Sequence, residues 1–510
     1  MGDGKITNFT KEEISILKKH VSDVNKNIYV IYNLPPEVVA VLFAYVSRSP
    51  LSFRENLLKL IRGKELDVKT LIDLFGSKGF DYTDAKEKAR KFHEKWIVDY
   101  GHSSVAEHAV ASVAIENVSI LATKVIEDNR LASYTEKSTR YQVFERNSYY
   151  KPKKIMKSNV GKLFEKTCNH FFDFYAETIP KMIEFMEQKY PRQNDMTPKF
   201  YESITKARAC DVVRYVLPAA TFTNLAMTAN ARTIEHAIRK LLSHPLDEMR
   251  DIGQSLKKEV LKIIPTLVKY ADYNPYIDET NAAMRKLIPD VLKFNAIENT
   301  SPVTLVDYDP EAEDKLVTAI LYRYSKHPFN QIRKLVKKMD QKSKEKIVDE
   351  FLNRMDKHDW PLRELEHIYY TFDVMIDYGA FRDIQRHRIC TQTNQELTVE
   401  HGYDIPQEII DLGFKKKFED CMNMATEVFN EISKDFPKEA QYVVPLAFKK
   451  RTLFTWNLRE LYHFIKLRSS KEGHISYRRI AQQVFDELEK VHPLLARYIR
   501  VDKSIGPSRG

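Results

Sequence analysis

Residues 216–232 read VLPAATFTNLAMTANAR, and residues 443–459 read VVPLAFKKRTLFTWNLR. The second stretch lies 227 positions after the first. Each carries a proline at its third place and closes on Asn-x-Arg (Asn230/Arg232 and Asn457/Arg459). The match extends outward. VIYNLPPEVVAVLFAYVSRSPLSF (30–53) is echoed by TLVDYDPEAEDKLVTAILYRYSKHP (304–328), Glu107-His108 by Glu366-His367, and Arg130 by Arg388. The order is the same in both halves and only the middle segment differs in length. One domain therefore occurs twice in tandem, which is not the many short periods of a solenoid.

Each half has the same local grammar. After Glu-His comes a strand pattern, Val110–Ile115 or Tyr369–Ile376. A helical run follows (119–127, 378–385), then a polar, arginine-bearing segment (129–141, 386–396). A proline-broken stretch and a helix with Asn-x-Arg come last. Helices with few strands per half indicate an α+β class, helices packed on a small, mostly antiparallel sheet. The expected division is a polar, helical extension (1–27), a first repeat (28–265), a connector with Asn274-Pro275 and Ser301-Pro302 breaks (266–302), and a second repeat (303–510).

The chain has 510 residues and a formal net charge of +10, with 43% hydrophobic and 30% charged residues. This is a globular composition whose charge favours anionic partners. Only 14 glycines occur, and neither G-x-G-x-x-G nor a Walker-type loop is present. Cys168, Cys210, Cys390 and Cys421 show no disulfide or metal spacing. The longest apolar run, 38–46, is short of the roughly 20 residues that span a bilayer. The opening MGDGKITNFTKEE lacks a signal-peptide pattern. A cytoplasmic location is expected.

Taken singly, the polar motifs are ambiguous. Arg386-His387-Arg388 suits phosphate, since a guanidinium donates bidentately and never loses its charge, yet it also reads as a basic helix end. SYTEKSTRY (133–141) offers a nucleotide loop or, from its S-x-x-E spacing, a helix cap; alone, the cap is favoured. GHSSVAEH (101–108) has two histidines and a carboxylate but no third ligand cluster, so structural histidines are expected and no metal. KPKK (151–154) and FKKKF (414–418) read as solvated faces rather than a nucleic-acid interface.

Together and in this order the motifs resemble the flavin-dependent thymidylate synthase family, over about residues 28–265 and again over 303–497. The first half matches through GHSSVAEH, the E-K-S-T-R loop, R-Y-V-L-P and N-A-R. The second matches through E-H, Q-R-H-R, V-V-P-L, N-L-R and L-R. The resemblance implies FAD as cofactor, NADPH and methylenetetrahydrofolate as co-substrates, and conversion of dUMP to dTMP. It also implies active sites assembled from several subunits of a tetramer, which two chains of this length would mimic as a homodimer. For the flavin it implies His102, Ser104, Glu107, Asn230, Arg232, Arg386, His387, Arg388, Asn457 and Arg459. For dUMP it implies Glu136, Ser138, Thr139, Arg140, Arg214, Asp383 and Arg386, with Arg468 as the catalytic arginine facing the uracil.

The two halves depart from the family in complementary ways. The first keeps the loop and Arg214, but has Asp128-Asn129-Arg130 for Arg-His-Arg, Val125 for the preceding glutamine and, for the late arginine, Leu241 or, with one gap placed differently, Lys240. The second keeps Arg386-His387-Arg388 and Arg468, but has Asn394-Gln395-Glu396-Leu397-Thr398 for the loop, without its serine and arginine, and Gln441 for Arg214. Asp383 replaces the glutamine. One nucleotide site per chain, shared between repeats, is expected. The competing readings are a non-catalytic flavin or nucleotide binder, an enzyme for another pyrimidine nucleotide, and a nucleic-acid binder on a dead enzyme fold.

Overall fold

The computed structural model describes residues 9–46, 49–62, 103–293 and 296–504. It forms two compact units. One comprises residues 1–116, 131–136 and 224–293, the other 117–130, 137–223 and 294–510. The second unit thus takes segments from both sequence repeats.

In the first unit, helix Lys11–Leu17 opens with a capping box, Thr10 and Glu13 each bonding the other's backbone N–H. Leu17, Val21, Val38, Leu42 and Leu57 form its apolar core with helices Pro36–Val46 and Phe53–Arg62. An isolated antiparallel bridge joins Val21 to Ile31. A three-stranded sheet follows, in the order β1 (Val110–Ser119), β3 (Phe222–Asn230), β2 (Ala132–Glu136). Strands β2 and β3 are antiparallel, with Ala132 opposite Ala229 and Glu136 opposite Leu225. Ser133 and Glu136 therefore lie in a strand, and the helix-cap reading of their spacing is corrected. That spacing caps a helix only where the backbone after it turns, and here it stays extended. The connector carries an exposed helix, Pro275–Leu292.

The second unit contains an antiparallel sheet in the order β4 (Val303–Tyr308), β5 (Tyr369–Asp377), β7 (Lys449–Asn457), β6 (Thr391–Asn394). Alternate residues face the core, as a strand's twofold period requires. Tyr370, Phe372, Val374 and Ile376 of β5 are buried, as are Phe454 and Trp456 of β7. Trp456 stacks on Phe454 at 4.7 Å and on Phe464 at 4.8 Å. Asn457 ends β7 and caps helix Leu458–Arg468, its side chain accepting from Glu460 N at 2.9 Å.

The duplication is visible as reciprocal backbone bonding inside this unit. Ala219 N donates to Val444 O at 2.8 Å, and the equivalent Leu446 N donates to Leu217 O at 2.9 Å. Ala220 N donates to Tyr442 O, and Ala447 N to Tyr215 O, both at 2.9 Å. Pro218 faces Pro445 in an antiparallel bridge. Proline lacks an N–H, so the exchange is carried by residues on either side. Gly379 N donates to Leu446 O and Leu121 N to Ala219 O, one helix start for each repeat. Replacing Trp456 by alanine is expected to destabilise the second unit by about 3–5 kcal/mol in urea denaturation followed by circular dichroism. A loss below about 1 kcal/mol would contradict its central place in the core.

Candidate functional site

The second unit gathers residues that the sequence places in different repeats. From the first, the segment after β2 forms a turn in which Ser138 Oγ accepts from Arg140 N at 3.2 Å. Helix Pro198–Val213 presents Asp211 one turn before Arg214, an i,i+3 pair. Asp211 then holds two cations, Arg140 Nη2 at 2.8 Å and Arg214 Nη2 at 3.0 Å. Thr139 Oγ1 accepts from Arg214 Nη1 at 3.1 Å and, across the repeats, from Arg382 Nη1 at 3.3 Å.

Burial pushes the Asp211 carboxyl up, but Arg214, His474 and Arg140 outweigh it and hold it below the usual carboxylate range. Burial likewise disfavours charge on both arginines, and Asp211 reverses this, keeping them cationic beyond their ordinary range. Arg214 is 2% exposed. The Nε atoms of Arg140 and Arg214 are buried without a hydrogen-bond partner among the described residues. Two fixed cations with spare donors around one carboxylate make a site for an anion.

From the second repeat, Asp377 caps helix Tyr378–Ile384 by accepting from Ala380 N at 2.7 Å. Burial raises the Asp377 carboxyl to about 6. The helix carries Arg382 and Asp383 and delivers Arg386-His387-Arg388 on the turn beyond it. Gln385 Nε2 donates to Lys124 O at 2.8 Å. Asp383 is 7% exposed, with Arg386 Nη1 3.6 Å from its carboxylate. Burial pushes this carboxyl up, yet Arg386, Arg214, Arg468 and Arg140 together hold it below the usual range. Four of the expected arginines, two from each repeat, thus act on one carboxylate.

Arg468 ends helix Leu458–Arg468, with its guanidinium 5.4 Å from the ring centroid of Tyr477. His474 stacks on Tyr215 at 5.5 Å. Burial lowers the His474 imidazole to about 4, with Asp211 opposing, so it is neutral near pH 7. The sequence reading missed Asp211, Arg382, His474 and Tyr477. Only Asp211 had a usable signal, the Asp-Val-Val-Arg spacing on a helix.

The remaining candidates are engaged locally. Glu107 pairs with Arg232 at 2.6 Å, beside exposed Ser104 on the turn Ser103–Glu107. Asn230 caps helix Ala231–Leu242. Arg459 donates to Pro361 O at 2.7 Å and pairs with Glu366 at 2.8 Å. Glu136 ends β2 in the first unit. His102 lies outside the described residues. Among the described residues no group of three metal-ligating side chains occurs. A cavity of about 530 Å³ beside Arg250, Lys257 and Tyr273 in the first unit includes none of the candidates.

The loop of the second repeat, 396–398, is filled by its own contacts. Lys438, at the position equivalent to Asp211, pairs with Glu396 at 2.8 Å. Gln441, equivalent to Arg214, accepts from Leu397 N at 3.1 Å and donates to Lys438 O at 3.1 Å. Leu397 is buried where the first repeat has Thr139.

The family model described as thymidylate synthase complementing protein matches residues 56–266 and again 304–494. A UPF0159 protein of Chlamydia pneumoniae is 34% identical over 513 residues, covering 98% of this chain and 96% of its own. A flavin-dependent thymidylate synthase of Clostridium tetani is 31% identical over 189 residues, 37% of this chain and 72% of its own. A flavin dependent thymidylate synthase of Helicobacter pylori, solved with FAD and dUMP, aligns over 40% of this chain and 100% of its own, at 18% identity and a TM-score of 0.30. One matched segment falls in each half of the chain, and the chain belongs to the thymidylate synthase complementing protein family as a tandem duplication of its domain.

Proposed function

We propose that the chain is a flavin-dependent thymidylate synthase that methylates dUMP at C5 to give dTMP, at one nucleotide site built from both repeats. The carrying observation is the meeting of the two repeats at Thr139, whose hydroxyl accepts from Arg214 of the first and Arg382 of the second, beside Asp211 with its two arginines, Arg140 and Arg214. Arg140 and Arg214 bind the nucleotide phosphate, and their buried Nε donors have no hydrogen-bond partner among the described residues. Arg468 faces the pyrimidine and stabilises the negative charge that develops as C5 becomes nucleophilic. A preorganised cation of this kind contributes about 2–4 kcal/mol to the transition state, or about 30- to 1000-fold in rate.

The donor chemistry of Arg386 and Arg388 fits the pyrophosphate of FAD, with Asn457/Arg459 at the other end of the cofactor. FAD, when bound, supplies the hydride chemistry, with NADPH and methylenetetrahydrofolate as co-substrates. The protein's residues hold the nucleotide, keep charge in a buried site and set the orientation. The proposed assembly is a homodimer. Asp383 favours a second reading, since a carboxylate only accepts hydrogen bonds and therefore suits a pyrimidine with an amino group.

The purified protein is expected to be yellow, and Arg386→Ala with Arg388→Ala to release the flavin on gel filtration. A protein that takes up no FAD on titration overturns the enzyme reading. Arg140→Ala is expected to weaken dUMP binding at least about tenfold. Arg468→Ala should slow dUMP-dependent flavin reoxidation about 30- to 1000-fold. Lys438→Ala, at the filled loop of the second repeat, should leave dUMP affinity within about twofold. An equal loss in Arg140→Ala and Lys438→Ala contradicts the single shared site.

A further inference from the structure

The resemblance assigns His387 to the flavin, but its surroundings describe another task. The ring is 6% exposed, set edge-on against Phe464 at 5.1 Å and tilted against His463 at 5.4 Å. Its Nε2 lies 2.9 Å from Arg468 Nε. An arginine Nε always carries hydrogen and only donates, so the imidazole must present its lone pair there. His387 is therefore neutral, with its proton on Nδ1.

The geometry points to His387 as the positioning residue of the site: it accepts from Arg468 Nε and so aims the arginine's two terminal nitrogens at the nucleotide. This rests on the functional reading above for the identity of what Arg468 faces. Two restraints act on the guanidinium, the histidine at Nε and the Tyr477 ring 5.4 Å away. A free arginine side chain samples many rotamers, and fixing it before substrate arrives removes that cost from the reaction. The helix supports the arrangement, because Phe464, four residues before Arg468, packs on the same imidazole.

The contact persists at neutral pH. Burial lowers the imidazole's affinity for protons well below the ordinary value, and Arg468 and His463 from the helix and Arg388 from its own segment add to this. Asp383 alone opposes them. Protonation would set two N–H donors head to head and place a second positive charge against Arg468.

The test uses the full chain loaded with FAD and three variants. His387→Phe keeps an aromatic ring against Phe464 and deletes the acceptor. His387→Gln returns an acceptor, Oε1, near the place of Nε2. In His387→Phe the flavin content is expected to stay within about twofold of wild type, while kcat for dUMP-dependent reoxidation falls about 10- to 100-fold with a smaller change in KM. His387→Gln is expected to recover most of that loss. Normal turnover in His387→Phe overturns the proposal, as does a Gln variant no better than Phe, or loss of flavin in step with activity.

A readout independent of turnover is the ¹⁵N spectrum of histidine-labelled protein. The His387 Nε2 signal should be that of an unprotonated acceptor and should shift in Arg468→Ala. An unshifted signal overturns the proposal even if wild type proves inactive on dUMP, whereas an inactive wild type with the expected shift sinks only the functional reading. If His387→Phe fails to fold, this spectrum and the Gln variant decide.

Discussion

The second unit depends on the antiparallel exchange of backbone hydrogen bonds between residues 215–220 and 442–447. Four N–H groups and four carbonyls are paired there in two equivalent sets, and the residues that carry them are buried. Unpaired, such groups would each cost a desolvation penalty of about 1–3 kcal/mol, so the two segments are committed to one another. The exchange puts Arg214 immediately before one segment and the β5–helix junction of the other repeat against the second, through Gly379 N and Leu446 O. A loop from one copy and an Arg-His-Arg turn from the other thus meet inside a single compact body.

Burying several guanidinium groups together is unfavourable unless carboxylates share the space. Asp211 does this by direct contact with Arg140 and Arg214, and Asp383 by its position among four arginines. Arg140, Arg214, Arg382, Arg386 and Arg468 outnumber these two carboxylates, and the excess of positive charge suits an anionic ligand. In the second repeat the corresponding loop is held by its own side chains: Lys438 pairs with Glu396, Gln441 is tied to backbone, and Lys450 donates to Gln395 O. Duplication followed by divergence of one loop accounts for the asymmetry.

Much of this was legible in the residues. The shared prolines and the Asn-x-Arg endings fixed the offset between repeats, and the same offset reappears in the hydrogen bonds of Ala219 and Leu446. The strands after Glu-His and the short helices following them lie where alternation and helical spacing placed them. Asp211 was not singled out, because an acid on a helix is commonplace until its two arginines are brought to it by tertiary structure. Ser133–Glu136 misled because S-x-x-E spacing is indifferent to whether the backbone is helical or extended. The two Asn-x-Arg pairs were read as flavin groups, and their first visible task is local, the asparagines capping helices and the arginines bonding glutamates.

The measurement that bears most directly on a nucleotide site shared between repeats is calorimetric titration of dUMP into the full-length, FAD-loaded chain. A site shared between repeats predicts a stoichiometry of one nucleotide per chain, with affinity at least about tenfold weaker in Arg140→Ala although the second repeat is untouched. Two equivalent nucleotides per chain would contradict it.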